Sequence, residues 1–187
     1  MDRGTAIDIL CRTIFGTPFS TPEKAIEYCK TLPMTNKAGM DVLVKDYFSE
    51  EAFNNAVAHL WNTRKIYVED LGYTLWTTPF TIYTNDFKNE DGSDINIAGE
   101  IDMLAIDREG RPIIIDYKTS KNAFFKDGEL SLSFTSVGSN IRSPQEQYIN
   151  QQSAYIQMLN ETTRKETTFA GGFNCNEARL LPIHLVG

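Results

Sequence analysis

The chain predicts a mixed α/β fold, an α+β arrangement in which helices flank a central mixed β-sheet. Three observations carry that prediction. Apolar residues recur at helical spacing through residues 1–72. Residues 101–119 read as a hairpin whose two strands are apolar on both faces, so it must be interior. A capped helix and a last strand follow it, supplying a second covering layer and another sheet member.

Residues 4–15, GTAIDILCRTIF, set Ile7, Leu10, Cys11, Ile14 and Phe15 on one helical stripe. Gly16 and Pro18 end that helix. Asp8 lies at the margin of the stripe, beside Cys11 and Phe15, where it can either reach water or turn inward. Taken alone, a solvated flank is the simpler reading. A second helix opens at Thr21, with Pro22 in its first turn and Ile26, Cys29 and Leu32 inside. Residues 33–38 read as a connection and Lys37–Phe48 as a short helix. Ser49 caps a longer helix carrying Phe53, Val57, Leu60, Trp61 and Arg64, which ends near Gly72. His59 falls off that stripe and is expected on the surface.

Tyr73–Thr84, rich in aromatic residues, Thr and Ile, reads as one strand. Residues 86–96, DFKNEDGSDIN, form an acidic hairpin tip. They lack the alternating ligands and closing Glu of a calcium loop. Residues 121–142 are a long insertion holding Phe124, Phe125, Leu130, Leu132 and Phe134. It is either a lid or a strand pair patching the core. Ser143-Pro144-Gln145-Glu146 is a capping box, and the helix it starts runs to about Asn160. Gln151 and Tyr155, four apart, share a face of it. Residues 161–176 read as a polar connection and Ala178–Val186 as a final strand, with Pro182 marking an edge or a bulge. His184 is expected to be a packed or edge residue. The whole, residues 1–187, is expected to be one domain: a helical part over 1–72 and an αβ part over 73–187 with the 121–142 insertion.

Composition narrows the function. At 41% hydrophobic and 23% charged residues the chain is ordinary for a globular protein. No apolar run is long enough to span a bilayer, and the N-terminus does not read as a signal peptide, so no membrane partner is expected. Cys11, Cys29 and Cys175 are scattered and odd in number, which fits neither a disulfide framework nor a CxxC metal site. A reducing, cytoplasmic setting follows. The net charge of −7 works against nonspecific binding to nucleic acid, which is mainly electrostatic. A local basic groove, bound metal ions or a partner subunit would have to supply positive charge.

The candidate chemistry sits in the hairpin. Its strands, Ile101–Ile106 and Pro112–Thr119, flank the turn Asp107-Arg108-Glu109-Gly110-Arg111. If the hairpin is symmetric about Glu109, Asp102 faces Asp116 with Cβ atoms roughly 4.5–5.5 Å apart. Lys118 then shares the face of Asp116, about 7 Å further along. Two carboxylates opposed among apolar residues repel each other and lose hydration. A proton, the lysine or a cation must resolve that, and hard oxygen ligands suit Mg²⁺ or Mn²⁺. The competing structural reading is a buried Asp–Lys ion pair with Asp102 capping a loop. Such pairs are costly and seldom gathered for stability alone.

Gly99-x-x-Asp102, Asp116-Tyr117-Lys118-Thr119-Ser120 and Gln151-x-x-x-Tyr155, with Gly4-Thr5-Ala6-Ile7-Asp8 ahead of them, resemble the PD-(D/E)xK nuclease superfamily, in particular its RecB-like exonuclease branch. The resemblance covers nearly the whole chain and implies a restriction-endonuclease-like core. It implies a Mg²⁺- or Mn²⁺-dependent DNA nuclease, exonuclease-like, in phage or bacterial recombination or repair. DNA, single- or double-stranded, would be the substrate, with a helicase or recombination protein as a partner. Asp102 and Asp116 would hold the metal, and the backbone carbonyl of Tyr117 and the side chain of Asp8 would add ligands. Lys118 would orient the attacking water, while Gln151 and Tyr155 would brace the site and position the substrate strand.

Two departures from the branch stand out. Asp8 replaces a His in the first helix, and Trp76-Thr77-Thr78-Pro79 holds no acid where many members carry Glu. Those departures leave open a catalytically impaired module that binds nucleic acid or a helicase. The four-cysteine iron–sulfur cluster of some relatives has no counterpart. The chain stops just after its last predicted strand, at Val186-Gly187, so one domain of a larger helicase-nuclease is a further expectation.

Overall fold

A computed structural model describes residues 2–120, 130–133, 144–165 and 172–184. Its elements run α1 (Asp2–Gly16), α2 (Pro22–Cys29), β1 (Pro33–Thr35), β2 (Asp41–Leu43), α3 (Glu50–Lys65), β3 (Thr74–Trp76), β4 (Phe80–Lys88), β5 (Asp94–Ile101), β6 (Met103–Ile106), β7 (Pro112–Ser120), β8 (Leu130–Ser133), α4 (Pro144–Lys165) and β9 (Glu177–His184). A 3₁₀ turn, Val44–Tyr47, precedes α3, and a π-helical turn, Ile66–Asp70, follows it. The main sheet has five strands in the order β3-β6-β7-β9-β8. β7 and β9 are parallel and the other neighbours antiparallel, so the sheet is mixed, as the sequence predicts.

Strand alternation divides the core into two layers. Met103, Ala105, Ile113, Ile115 and Tyr117 face the N-terminal helices and pack on Ile7, Leu10, Cys11, Ile14 and Phe15 of α1 and on Phe53, Val57 and Leu60 of α3. Leu104, Ile114 and Ala178 face the other way and pack with Ile82, Ile101 and the α4 residues Ile156, Met158 and Leu159. The α1 stripe read from the sequence is buried throughout, as are Cys29 of α2 and Phe53, Val57 and Leu60 of α3, while Ile26, Leu32, Trp61 and Arg64 are partly buried. Thr21 and Ser49 cap α2 and α3 as expected, each accepting an N–H three residues on. The helical path ends before Gly72, whose φ of +69° suits glycine. His59 is exposed, as expected.

Several expectations need correction. Residues 37–48 are not one helix, and of them Val44–Tyr47 alone are helical, as the 3₁₀ turn. Pro33–Thr35 and Asp41–Leu43 form a hairpin, closed by Asn36, whose side-chain oxygen accepts the N–H of Met40, and by Gly39 at φ +79°. Tyr73–Thr84 is two strands. β3 joins the main sheet, whereas β4 pairs with β5 in a separate ribbon. Pro79 separates them and cannot donate to a ladder. Helix α4 runs past Asn160 to Lys165, because Thr162 and Thr163 are buried and bond back to the fold. Thr162 Oγ1 donates to the Tyr83 carbonyl, and Thr163 Oγ1 accepts the N–H of Phe173. β9 is an interior strand rather than an edge, lying between β7 and β8. Among the described residues β8 pairs with Glu177–Leu180 of it and Pro182 has β7 as its described neighbour, a place that tolerates a residue lacking an N–H. Within the 121–142 insertion, Leu130–Ser133 is the outer strand β8. Residues 121–129 and 134–143, including the Ser143 cap, and the side chain of His184 lie outside what is described.

Candidate active site

The β6–β7 register pairs Met103 with Ile115, Leu104 with Ile114, Ala105 with Ile113 and Ile106 with Pro112. Continued by one residue, it places Asp102 opposite Asp116, the symmetric hairpin the sequence predicts. Asp102 is not itself in a strand. It is the bend between β5 and β6, where the chain passes from the two-stranded ribbon to the main sheet. The N–H of Tyr117 donates to Asp102 Oδ2 at 3.0 Å, which fixes that carboxyl at the end of the ladder.

Asp116 is 6% exposed, and the Lys118 ammonium stands 2.9 Å from its Oδ2. The approach is an ion pair without hydrogen-bond alignment. Oδ2 of Asp116 therefore remains buried with no hydrogen bond. The pKa of Asp102 is raised to about 7. Burial is the main cause, followed by its hydrogen bond to and charge repulsion from Asp116; the Tyr117 N–H and Lys118 pull the other way. The three groups expected to converge do so on one face at one end of the hairpin.

The remaining expected residues surround them unequally. Asp8, on α1, keeps its carboxyl open to solvent. Partial desolvation raises its pKa to about 6, with the charge of Asp102 next in weight and that of Arg12 opposing. Its charge is felt at the site, but among the described residues no three His, Cys, Asp or Glu side chains form a group able to hold a metal. Gln151 Nε2 donates to the Tyr155 hydroxyl at 3.3 Å. The pKa of Tyr155 is raised, first by burial and then by the nearby charge of Asp116, which places it beside the pair. A Cβ on Gly99 would lie 2.8 Å from Tyr155 Cε1, so this glycine is what lets the ring pack against β5.

Tyr117 turns its ring to the opposite layer and stacks on Phe15 at 5.9 Å. Its hydroxyl is buried without a hydrogen bond, and burial, then Cys11, push its pKa upward. Its backbone stays between the two charged side chains.

Sequence reasoning missed Glu100 and Arg12, whose charges act on Asp8 with opposite sign. Glu100 stands in the motif stretch itself, one residue beyond Gly99. Arg12 is one helical turn beyond Asp8, a spacing that signals contact. A cavity of about 480 Å³ lined by Lys30, Lys45, Asp46, Phe48, Glu50 and Phe53 contains none of the expected site residues.

Residues 23–177 match the family model of the PD-(D/E)XK nuclease superfamily. The chain belongs to that superfamily, and its mixed sheet with four helices is the corresponding restriction-endonuclease-like fold. The matched span takes in Asp102, Asp116, Lys118, Gln151 and Tyr155 and leaves Asp8 outside. No curated protein and no solved structure matches the chain significantly. Nucleases of this superfamily generally use divalent metal ions such as Mg²⁺ and act on DNA. The residues present fit such an ion: two carboxyls in contact, one buried oxygen without a hydrogen bond, and all-oxygen donors of the kind a hard cation takes. Among the described residues no helix is long and apolar enough to cross a membrane.

Proposed function

We propose that this chain is a Mg²⁺- or Mn²⁺-dependent deoxyribonuclease of the RecB-like branch, acting exonucleolytically in recombination or repair. Residues 1–187 work as one catalytic domain in this reading. The observation that carries it is the buried Asp116 carboxylate held between Asp102 and the Lys118 ammonium, which stands 2.9 Å from its Oδ2. Two carboxyls and a lysine gathered in one buried place are costly and seldom assembled for stability alone.

Asp102 and Asp116 hold the cation, with the Tyr117 carbonyl as a further donor and Asp8 approaching from α1. When bound, such an ion supplies Lewis acidity toward phosphate and acidifies a nearby water. Lys118 orients the attacking water and sets fixed positive charge where the phosphate oxygens gain negative charge. Tyr155, seated on Gly99 and bonded to Gln151, holds the substrate strand against the carboxylates. The test is cleavage of end-labelled single- and double-stranded DNA in Mg²⁺, Mn²⁺ or EDTA. Metal-dependent cleavage that disappears in Lys118→Ala supports the proposal, and cleavage indifferent to Lys118 refutes it.

A second reading has its own support: residues 76–79 supply no acid, and no three-carboxylate group forms among the described residues. On that reading the chain binds nucleic acid or a helicase without turning it over. DNA binding that is independent of metal, with no cleavage in either ion, would select it.

A further inference from the structure

We propose that Trp76, braced by Phe80, is a stacking surface for an unpaired base next to the scissile phosphate, so that the site takes a single-stranded or frayed DNA end. This rests on the nuclease reading above and names the form of its substrate.

The sheet register places the indole. Trp76 pairs with Leu104, and Leu104 pairs with Ile114. Leu75, its neighbour, packs into the N-terminal layer, so alternation turns Trp76 to the opposite face. That face carries Asp116, two residues along β7 from Ile114. Asp116 is therefore two strands over and two residues along from Trp76, and Asp102, which faces it, one strand over and two along. On strand spacings these are Cα separations of about 12 Å and about 8 Å, one to two nucleotide steps.

The ring is 40% exposed, although tryptophan is among the more buried residue types. Phe80 meets it edge-on at 5.6 Å, which fixes its tilt from below. Phe80 is itself packed into the α4 layer and pairs with Ile101, the residue before Asp102. The indole thus stands on a support continuous with the metal-site bend.

Charge explains why such a surface is needed. A chain of net charge −7 has little to offer a polyanion through counterion release. Base–aromatic stacking is independent of net charge and tolerant of sequence, and it requires a base free of its partner strand. Duplex DNA keeps its bases stacked on one another and cannot use the ring.

The chain contains two tryptophans, and the other, Trp61, lies on α3 with its Nε1 donating to the Phe19 carbonyl. In the full-length Trp61→Phe variant, Trp76 is the sole indole reporter. Stopped-flow mixing with a dye-labelled oligo(dT) in Mg²⁺ should quench its emission in step with the rise in dye anisotropy. In the otherwise unaltered chain, Trp76→Ala should weaken oligo(dT) binding by about 5- to 100-fold, with Trp76→Phe retaining most of the affinity. Blunt duplex binding should change less than about twofold, since a paired base gains nothing from the ring. Anisotropy that rises without a change in Trp76 emission overturns the proposal, as does Trp76→Ala binding oligo(dT) as tightly as the unaltered chain. If cleavage persists in either case, only the stacking surface has failed. If neither binding nor cleavage occurs, the nuclease reading fails with it.

Discussion

The β6–β7 hairpin carries acids at both ends, and it treats them in opposite ways. At the turn, Asp107 accepts the N–H groups of Glu109 and Arg111 and the Arg111 guanidinium, at 3.0, 2.7 and 2.9 Å. Those partners, the Arg111 N–H foremost, lower its pKa. At the other end Asp102 and Asp116 press together, with burial and mutual repulsion raising the Asp102 pKa. Folding alone accounts for the first arrangement. The second disfavours the metal-free fold at neutral pH, and in the proposed function a cation offsets that cost.

The sharpest way to break that contrast is to neutralise one acid at each end. Asp102→Asn is expected to lower kcat/KM for DNA cleavage by about 10³-fold or more, and Lys118→Ala by about 10²- to 10³-fold. Asp107→Ala should leave kcat/KM within about threefold of the unaltered chain, since it removes only turn contacts. Cleavage assays on the three purified variants decide this. Equal losses at the two ends would remove the distinction.

Stability should move the other way. The raised pKa values of Asp102 and Asp8, about 7 and about 6, mean that the folded chain binds more protons than the unfolded chain above pH 4. Metal-free stability is therefore fullest below about pH 4 and falls as pH rises through 6 to 7. Asp102→Asn should flatten that decline and gain about 1–2 kcal/mol above pH 7, read from urea midpoints in EDTA. Mg²⁺ should raise the thermal midpoint of the unaltered chain, and by more as the acids ionise. A metal-free midpoint that climbs between pH 5 and 7 would contradict this assignment.

Smaller effects sharpen the comparison. Gly99→Ala must displace the Tyr155 ring edge at 2.8 Å. It should cost about 1–2 kcal/mol in chemical denaturation and reduce cleavage about tenfold by moving the ring beside Asp116. Tyr155→Phe loses only a 3.3 Å bond to Gln151. Its stability should fall by about 0.5 kcal/mol or less, with a few-fold change in KM.

The hairpin was legible because its signal is local: a charged turn and two apolar strands set their own register. Helix α1 was legible for a similar reason, its stripe being buried along its whole length. What sequence could not supply depends on remote partners. Lys37-Ala38-Gly39 reads as the start of a helix until Gly39 adopts positive φ and β1 pairs with β2. Nothing local announces that β4 leaves the main sheet for β5. Thr162 and Thr163 look like loop residues until their hydroxyls find the Tyr83 carbonyl and the Phe173 N–H. The site was half legible for the same reason. Asp102, Asp116 and Lys118 lie on one ribbon and Arg12 follows Asp8 by one helical turn, whereas the influence of Glu100 on Asp8 appears only once α1 is docked.

Along β7, odd-numbered residues from Ile113 to Tyr117 face the N-terminal helices, while the even-numbered side carries Ile114 in the α4 layer and then the reactive Asp116 and Lys118. The strand has a parity, and the two duties cannot drift apart. A slip of one residue would drive Lys118 into the packing of α1 and present Tyr117 where the carboxylate should be. The scaffold can thus lose its reactive end by point substitution, but it cannot relocate that end by a single insertion without also dismantling the layer beneath.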